Sequence, residues 1–248
     1  MTPMTLTVSM CTADRRPKTN YLAGTLDRFC AQGIEPSRLH LCATAPDVAW
    51  LQPVVEKWPV SLHVPDVKLS RVANGLASIR AVANEAFDWL LLLEDDLSFC
   101  ADFLGSVERW LEAHARPDRN VHQFFGFHRV PAGKPAVYDV SLVKLRAAEA
   151  VALRKEDALD MLAWGETHLA HWRRLEPWGA SNAPCGEAWD KLIATWALLK
   201  WPKRPGLASH PHFVRHIGTE SSLHRYGPSN DGCFGGTGWS YRPQEATA

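Results

Sequence analysis

Residues 89–96 run from Trp89 through Leu90, Leu91, Leu92 and Leu93 straight into Glu94, Asp95 and Asp96. Five apolar residues followed without a break by three carboxylates predict a buried central strand whose end delivers acidic groups to one edge of a sheet. Ligands of open α/β sheets bind at that edge. Adjacent carboxylates repel one another, and their burial is costly unless a cation or an arginine compensates. A divalent metal held by one or two carboxylates and bridging to a diphosphate meets that need. A solvated acidic turn is the plainer alternative, but the abrupt change from apolar to charged favours a site.

A second stretch carries polar groups of a complementary kind. Phe213, Val214 and Ile217 are apolar, His216 stands at the end of their short strand, and Gly218 permits a tight turn before Ser221 and Ser222. The serine hydroxyls can donate to phosphate oxygens, and an imidazole can complete a metal shell. His210, His212, His216 and His224 match no zinc-type spacing. For His210 and His212, surface or hydrogen-bonded histidine is the better reading.

The elements that must position these groups alternate. Strands are expected at Leu6 to Cys11, Leu39 to Thr44, Val60 to Val64 and Trp89 to Leu93. Between them lie helical patterns at Tyr21 to Phe29, closed by Gly33, at Pro46 to Trp58, interrupted by Pro53, and at Leu76 to Phe87. This order predicts an α/β fold with a mostly parallel sheet flanked by helices. Further on, helices are expected over Phe103 to His114, Leu142 to Leu162 and Ala188 to Leu199. Strands are expected at Gln123 to Phe127, Ala136 to Val140 and Phe213 to Ile217. The Trp-, Pro- and Gly-rich stretch from Trp164 to Cys185 reads as a loop, and the Gly-rich tail from Gly227 as mobile.

Composition bounds the function classes. The chain has 248 residues, 46% hydrophobic and 22% charged, which suits one globular domain. Lys+Arg and Asp+Glu are 27 each, so no global basic field holds nucleic acid or an anionic membrane. Cysteines 11, 30, 42, 100, 185 and 233 form no CxxC pair, and free thiols are expected. No signal peptide or membrane span is read from the sequence, so a cytoplasmic setting in a bacterial or phage-infected cell is expected. Most of the 11 tryptophans are expected in the core.

Three segments together carry a resemblance. They are Thr7 to Arg15 with Tyr21, Leu22, Thr25 and Leu26; Trp89 to Leu97; and Val214 to Leu223. In this order and separation the chain resembles the GT-A glycosyltransferases, which have one Rossmann-like domain, and most closely the catalytic region of N-acetylglucosaminyltransferase IV. The resemblance spans residues 6–224, with the middle, about Val121 to Trp201, not aligned. It implies a single GT-A domain over 1–248, with a nucleotide-sugar-binding half at 1–120, an acceptor and catalytic half at 121–226 and a flexible tail at 227–248.

The resemblance also implies roles. Glu94, Asp95 and Asp96 look like a DXD-type element, with Asp96, His216 and Glu94 as ligands of Mn²⁺ or Mg²⁺. Thr12, Arg15, Arg80, Asp95, Ser221 and Ser222 would bind the nucleotide sugar, a UDP-sugar by family likeness. Transfer with inversion needs a base on the acceptor hydroxyl and charge stabilisation on the leaving diphosphate. Asp190 is the expected base, with Glu187 second; both stand where a helix begins, a place acidic residues also favour through the helix dipole. Trp178 and Trp189 could floor the acceptor site, since aromatic faces suit sugars and bases alike.

The acceptor is left between a glycan and a hydroxymethylated base of phage DNA. From Lys200 to Arg225 the positives Lys200, Lys203, Arg204, Arg215 and Arg225 stand against Glu220 alone, which would suit a polyanion or the donor diphosphate. The alternatives are a metal-dependent phosphoesterase or nucleotidyltransferase, which calls for a second acidic cluster, and a non-catalytic nucleotide-sugar-binding module.

Overall fold

The computed structural model describes residues 4–14, 20–116, 120–125, 136–140, 148–169, 189–202, 206–217 and 239–240. Its first half alternates strand and helix: β1 (Leu6–Thr12), α1 (Leu22–Cys30), β2 (Leu39–Ala43), α2 (Gln52–Lys57), β3 (Ser61–His63), α3 (Arg71–Arg80) and β4 (Trp89–Glu94). Then come β5 (Leu97–Phe99), α4 (Phe103–His114), β6 (Val121–Gln123), β7 (Ala136–Val140), β8 (Ala150–Arg154), α5 (Lys155–His168), α6 (Trp189–Lys200), β9 (Gly206–His210) and β10 (Val214–His216).

Eight strands form one sheet in the order β3-β2-β1-β4-β8-β6-β9-β7, and β5 pairs with β10 in a separate two-stranded sheet. The neighbours β3, β2, β1 and β4 are mutually parallel. Strand β8 then runs antiparallel between β4 and β6, β9 lies parallel to β6, and β7 closes the far edge antiparallel to β9. The α/β fold class expected from the alternating pattern is the observed one.

Strand β4 is central and apolar on both faces, as parallel strands covered by helices are. Leu91 and Leu93 join the core under α1 and α4, while Leu90 and Leu92 join a second core with α3, α5 and α6. Every residue from Trp89 to Leu93 is at most 5% exposed. Among the described residues, Trp58, Trp89, Trp110, Trp189 and Trp196 are buried.

Three local expectations need correction. Pro53 sits in the first turn of α2, where its missing N–H costs nothing, and so starts that helix rather than interrupting it. Helix α3 begins five residues earlier than Leu76, because the Ser70 hydroxyl accepts from the Ala73 N–H as an N-cap. Within the expected helix over Leu142 to Leu162, the described residues form a strand, β8, followed by α5. Alanines 148, 150 and 152 favour helix locally, but burial between β4 and β6 overrides that preference. Within the stretch expected to be mobile, Trp239 packs on Phe213, ring centroids 5.4 Å apart.

Helices α3 and α6 approach closely because α3 carries Gly75 at the contact. A Cβ built on Gly75 would lie 2.5 Å from the Trp189 indole. Gly75→Ala should therefore lower stability by about 1–2 kcal/mol, overpacking outweighing the gain in helix propensity. Urea unfolding checks this, and Trp189→Leu in the same chain should recover part of the loss as a positive coupling in a double-mutant cycle.

Candidate functional site

The three carboxylates leave β4 at the C-terminal edge of its parallel neighbours and meet three different fates. Asp95 is buried at 2% exposure and turns toward β1. Its Oδ2 accepts from the Thr12 hydroxyl at 2.6 Å and from the Ala13 N–H at 3.3 Å. Its carbonyl accepts from Thr25 of α1 at 2.8 Å, and that hydroxyl in turn accepts from the Leu97 N–H at 3.0 Å. Asp95 thus fixes the start of the first loop, and the Thr12 side chain, 2% exposed, is committed to it.

Asp96 turns the other way. The antiparallel pairing of β10 with β5 sets His216 opposite Leu97, and the Ile217 N–H donates to the Asp96 carbonyl at 2.9 Å. This brings His216 Nε2 to 2.9 Å from Asp96 Oδ2. Residues 120 apart in sequence are joined by a two-stranded sheet that the apolar pattern did not reveal.

Glu94 faces α3. Arg71 at the first turn of α3 donates to both carboxylate oxygens through one guanidinium nitrogen, at 2.7 and 2.9 Å. The Glu94 side chain is 14% exposed, a setting in which such a charge-assisted pair is stronger than on an open surface. The Glu94 charge raises the Arg71 pKa further above its ordinary value.

Glu149 stands beside Glu94. It precedes β8, and its carbonyl accepts from the Glu94 N–H at 2.9 Å. The register of β4 with β8 puts Leu92 opposite Val151 and Leu93 opposite Ala150, so Glu94 and Glu149 continue the face that carries Leu90, Leu92, Val151 and Leu153. Burial pushes the Glu149 carboxyl well above the usual carboxylate range; the Glu94 charge adds to this and Arg71 opposes it. Asp190, in the first turn of α6, also lies within electrostatic reach of Arg71. Glu94 and Glu149 from the sheet, Arg71 from α3 and Asp190 from α6 are thus brought together at this edge, with Asp96 and His216 adjoining.

Arg71 and Glu149 were not singled out from the sequence. The spacing of Val72, Leu76 and Ile79 behind Ser70 was the available signal for an earlier helix start and hence for Arg71. Alternation of Val151 and Leu153 with small residues was the signal for β8.

Two expected residues lie elsewhere. Helix α3 leads from the C-terminal edge of the sheet back to the start of β4, so Arg80 is at the far end from Arg71. There its guanidinium is 2.5 Å from Glu166 of α5, on the surface. Trp189 is 4% exposed and packed on α3, so its ring is core rather than an acceptor floor. Arg15, Trp178, Glu187, Ser221 and Ser222 lie outside the described residues.

Among the described residues, no three His, Cys, Asp or Glu side chains converge as a ready metal cage. Asp96 and His216 do converge, and a carboxylate with an imidazole suits Mn²⁺ or Mg²⁺ when phosphate oxygens and water complete the shell. Glu94, the third expected ligand, is paired instead with Arg71, which donates to both of its oxygens. Thiol chemistry is disfavoured nearby: burial raises Cys42 to about 11 and Cys11 further.

Two crystal structures of S. aureus TarS, residues 1–349, share this architecture. The one in complex with UDP-GlcNAc has a TM-score of 0.50 at 14% identity, over 83% of this chain and 55% of that one. The other has the same score and identity, with 57% of its length covered. The chain thus spans little more than half of these structures, and the likeness establishes the fold alone, an α/β sheet flanked by helices. No protein-family model matches the chain, and no curated protein does either. Among the described residues, no helix is long and apolar enough to cross a membrane.

A folded-state pKa raised above the unfolded value makes Glu149 a group whose protonated form the fold favours. Its stability cost is absent below the unfolded value, about 4.3, and grows as pH rises from there toward the folded pKa. Glu149→Gln should therefore match wild type in melts near pH 4 and exceed it increasingly toward pH 8.

Proposed function

We propose that this chain is a metal-dependent, inverting glycosyltransferase that moves a sugar from a UDP-sugar to an acceptor hydroxyl. The observation that carries the reading is the meeting of Asp96 and His216 at 2.9 Å, at the C-terminal edge of a sheet whose fold is shared with S. aureus TarS. The bound UDP-GlcNAc of the S. aureus TarS complex supports the choice of donor.

In this reading Asp96 and His216 would hold Mn²⁺ or Mg²⁺, which would offset the charge that develops on the leaving diphosphate. Arg71 keeps Glu94 neutralised, so that the rim does not repel an anionic donor. Asp190 accepts the proton of the acceptor hydroxyl. The acceptor oxygen bonds to the anomeric carbon from the side opposite the diphosphate, the bond from that carbon to the phosphate oxygen breaks, and UDP leaves with the electron pair. Asp95 and Thr12 hold the first loop, which would face the nucleoside.

The acceptor is better read as a glycan hydroxyl than as a DNA base. Lys200 pairs with Asp160 at 2.8 Å and Asp157 at 3.6 Å, at the end of α6 away from the crevice. Of that basic stretch, Lys200 is thus committed to acidic partners of the chain itself.

Thermal melts with a panel of nucleoside diphosphates test this. UDP should stabilise wild type only when Mn²⁺ is present, and Asp96→Ala should abolish the effect. Asp190→Asn should keep the UDP effect while transfer from UDP-sugar falls by about 10²–10⁴-fold. Absence of any nucleotide effect at any metal concentration contradicts the reading.

A further inference from the structure

The Glu149 backbone does structural work that its side chain does not share. Its carbonyl caps the pairing of β4 with β8, yet the residue is only 9% exposed and its Oε2 is buried without a hydrogen-bond partner. An orphaned oxygen in such a place is costly, and any apolar residue would serve the strand better. Its neighbours do not satisfy it. Glu94 is held by Arg71, which donates to both Glu94 oxygens, and Asp96 and Asp190 are carboxylates like Glu149 itself.

The place of this oxygen says what could satisfy it. A donor bound with its diphosphate at Asp96 and His216 and its anomeric carbon open to Asp190 has its sugar ring between those two points. The β4–β8 register and the hydrogen bond from the Glu94 N–H to its carbonyl put Glu149 on the same sheet face as Glu94, beside the Arg71–Glu94 pair and at the edge where Asp96 emerges. A sugar hydroxyl both donates and accepts, and is a natural partner for a carboxyl oxygen. A nucleoside diphosphate without its sugar has no group to place there.

We infer that Glu149 is a specificity-determining residue that hydrogen-bonds a hydroxyl of the donor sugar. This rests on the reading of the crevice as a nucleotide-sugar site. A site built around a buried hydrogen-bonding group discriminates strongly against ligands that leave it unpaired.

Calorimetric titration in Mn²⁺ of wild type, Glu149→Ala and Glu149→Gln with UDP, UDP-GlcNAc and UDP-glucose tests the inference. Glu149→Ala should weaken the better UDP-sugar by about tenfold, the loss of one hydrogen bond, and leave UDP within about twofold. Glu149→Gln, which keeps both a donor and an acceptor, should restore most of the sugar affinity. If Glu149→Ala does not fold, Glu149→Met keeps the volume without the hydrogen bond and replaces it. Unchanged UDP-sugar affinity, or equal weakening of UDP and UDP-sugar, overturns the inference and leaves the donor site standing. Wild type that binds neither UDP nor either sugar nucleotide overturns the donor site and the inference together.

Discussion

A central strand that is apolar to its last residue and then acidic three times over sets the problem that the surrounding structure solves. Carboxylates at that position must be compensated without closing the crevice. Each is handled by a different partner: Glu94 by the Arg71 guanidinium, Asp95 by Thr12 and a backbone N–H, Asp96 by His216. The compensation draws in α3, β1 and β10, so satisfying three charges also ties three remote segments to one edge of the sheet. Asp95 is tied to β1 and Glu94 to a guanidinium, whereas the Asp96 arrangement, a carboxylate against an imidazole, is of the kind that a cation and phosphate could enter.

The distance between the helices that line the crevice is set by small-to-large packing. Gly75 lies one turn beyond Arg71 on α3, and the Trp189 ring it accommodates adjoins Asp190 on α6. The same contact that buries an indole in the core therefore fixes how far the arginine and the aspartate stand apart. On the sheet side, β8 runs antiparallel to β4, and this reversal brings Glu149 to the crevice. A parallel neighbour would have placed the start of its strand at the opposite edge.

What the sequence made legible was the part governed by local periodicity. The βαβ alternation, the buried run of β4 and the helix from Phe103 to His114 follow from apolar spacing, and with them the edge where Asp96 emerges. The meeting of His216 with Asp96 was expected only through resemblance, because a three-residue strand pairing across the chain leaves little periodic signal. Helix propensity misread the alanine-rich start of β8 and so hid Glu149. Arg80 drew attention by its place before the acidic strand, while the arginine that reaches the carboxylates is nine residues earlier, at the other end of the same helix. Trp189 illustrates a similar ambiguity: an indole beside a candidate base suits a sugar or a core, and only the tertiary contact with Gly75 decides for the core.

The most direct test of the account is diffraction from crystals of the wild-type chain grown with UDP and Mn²⁺, with data collected at the manganese absorption edge. The account predicts an anomalous peak in contact with Asp96 and His216, joined to the diphosphate, with the Arg71–Glu94 pair intact beside it. A manganese peak away from those two side chains, or UDP bound at another edge of the sheet, would contradict it.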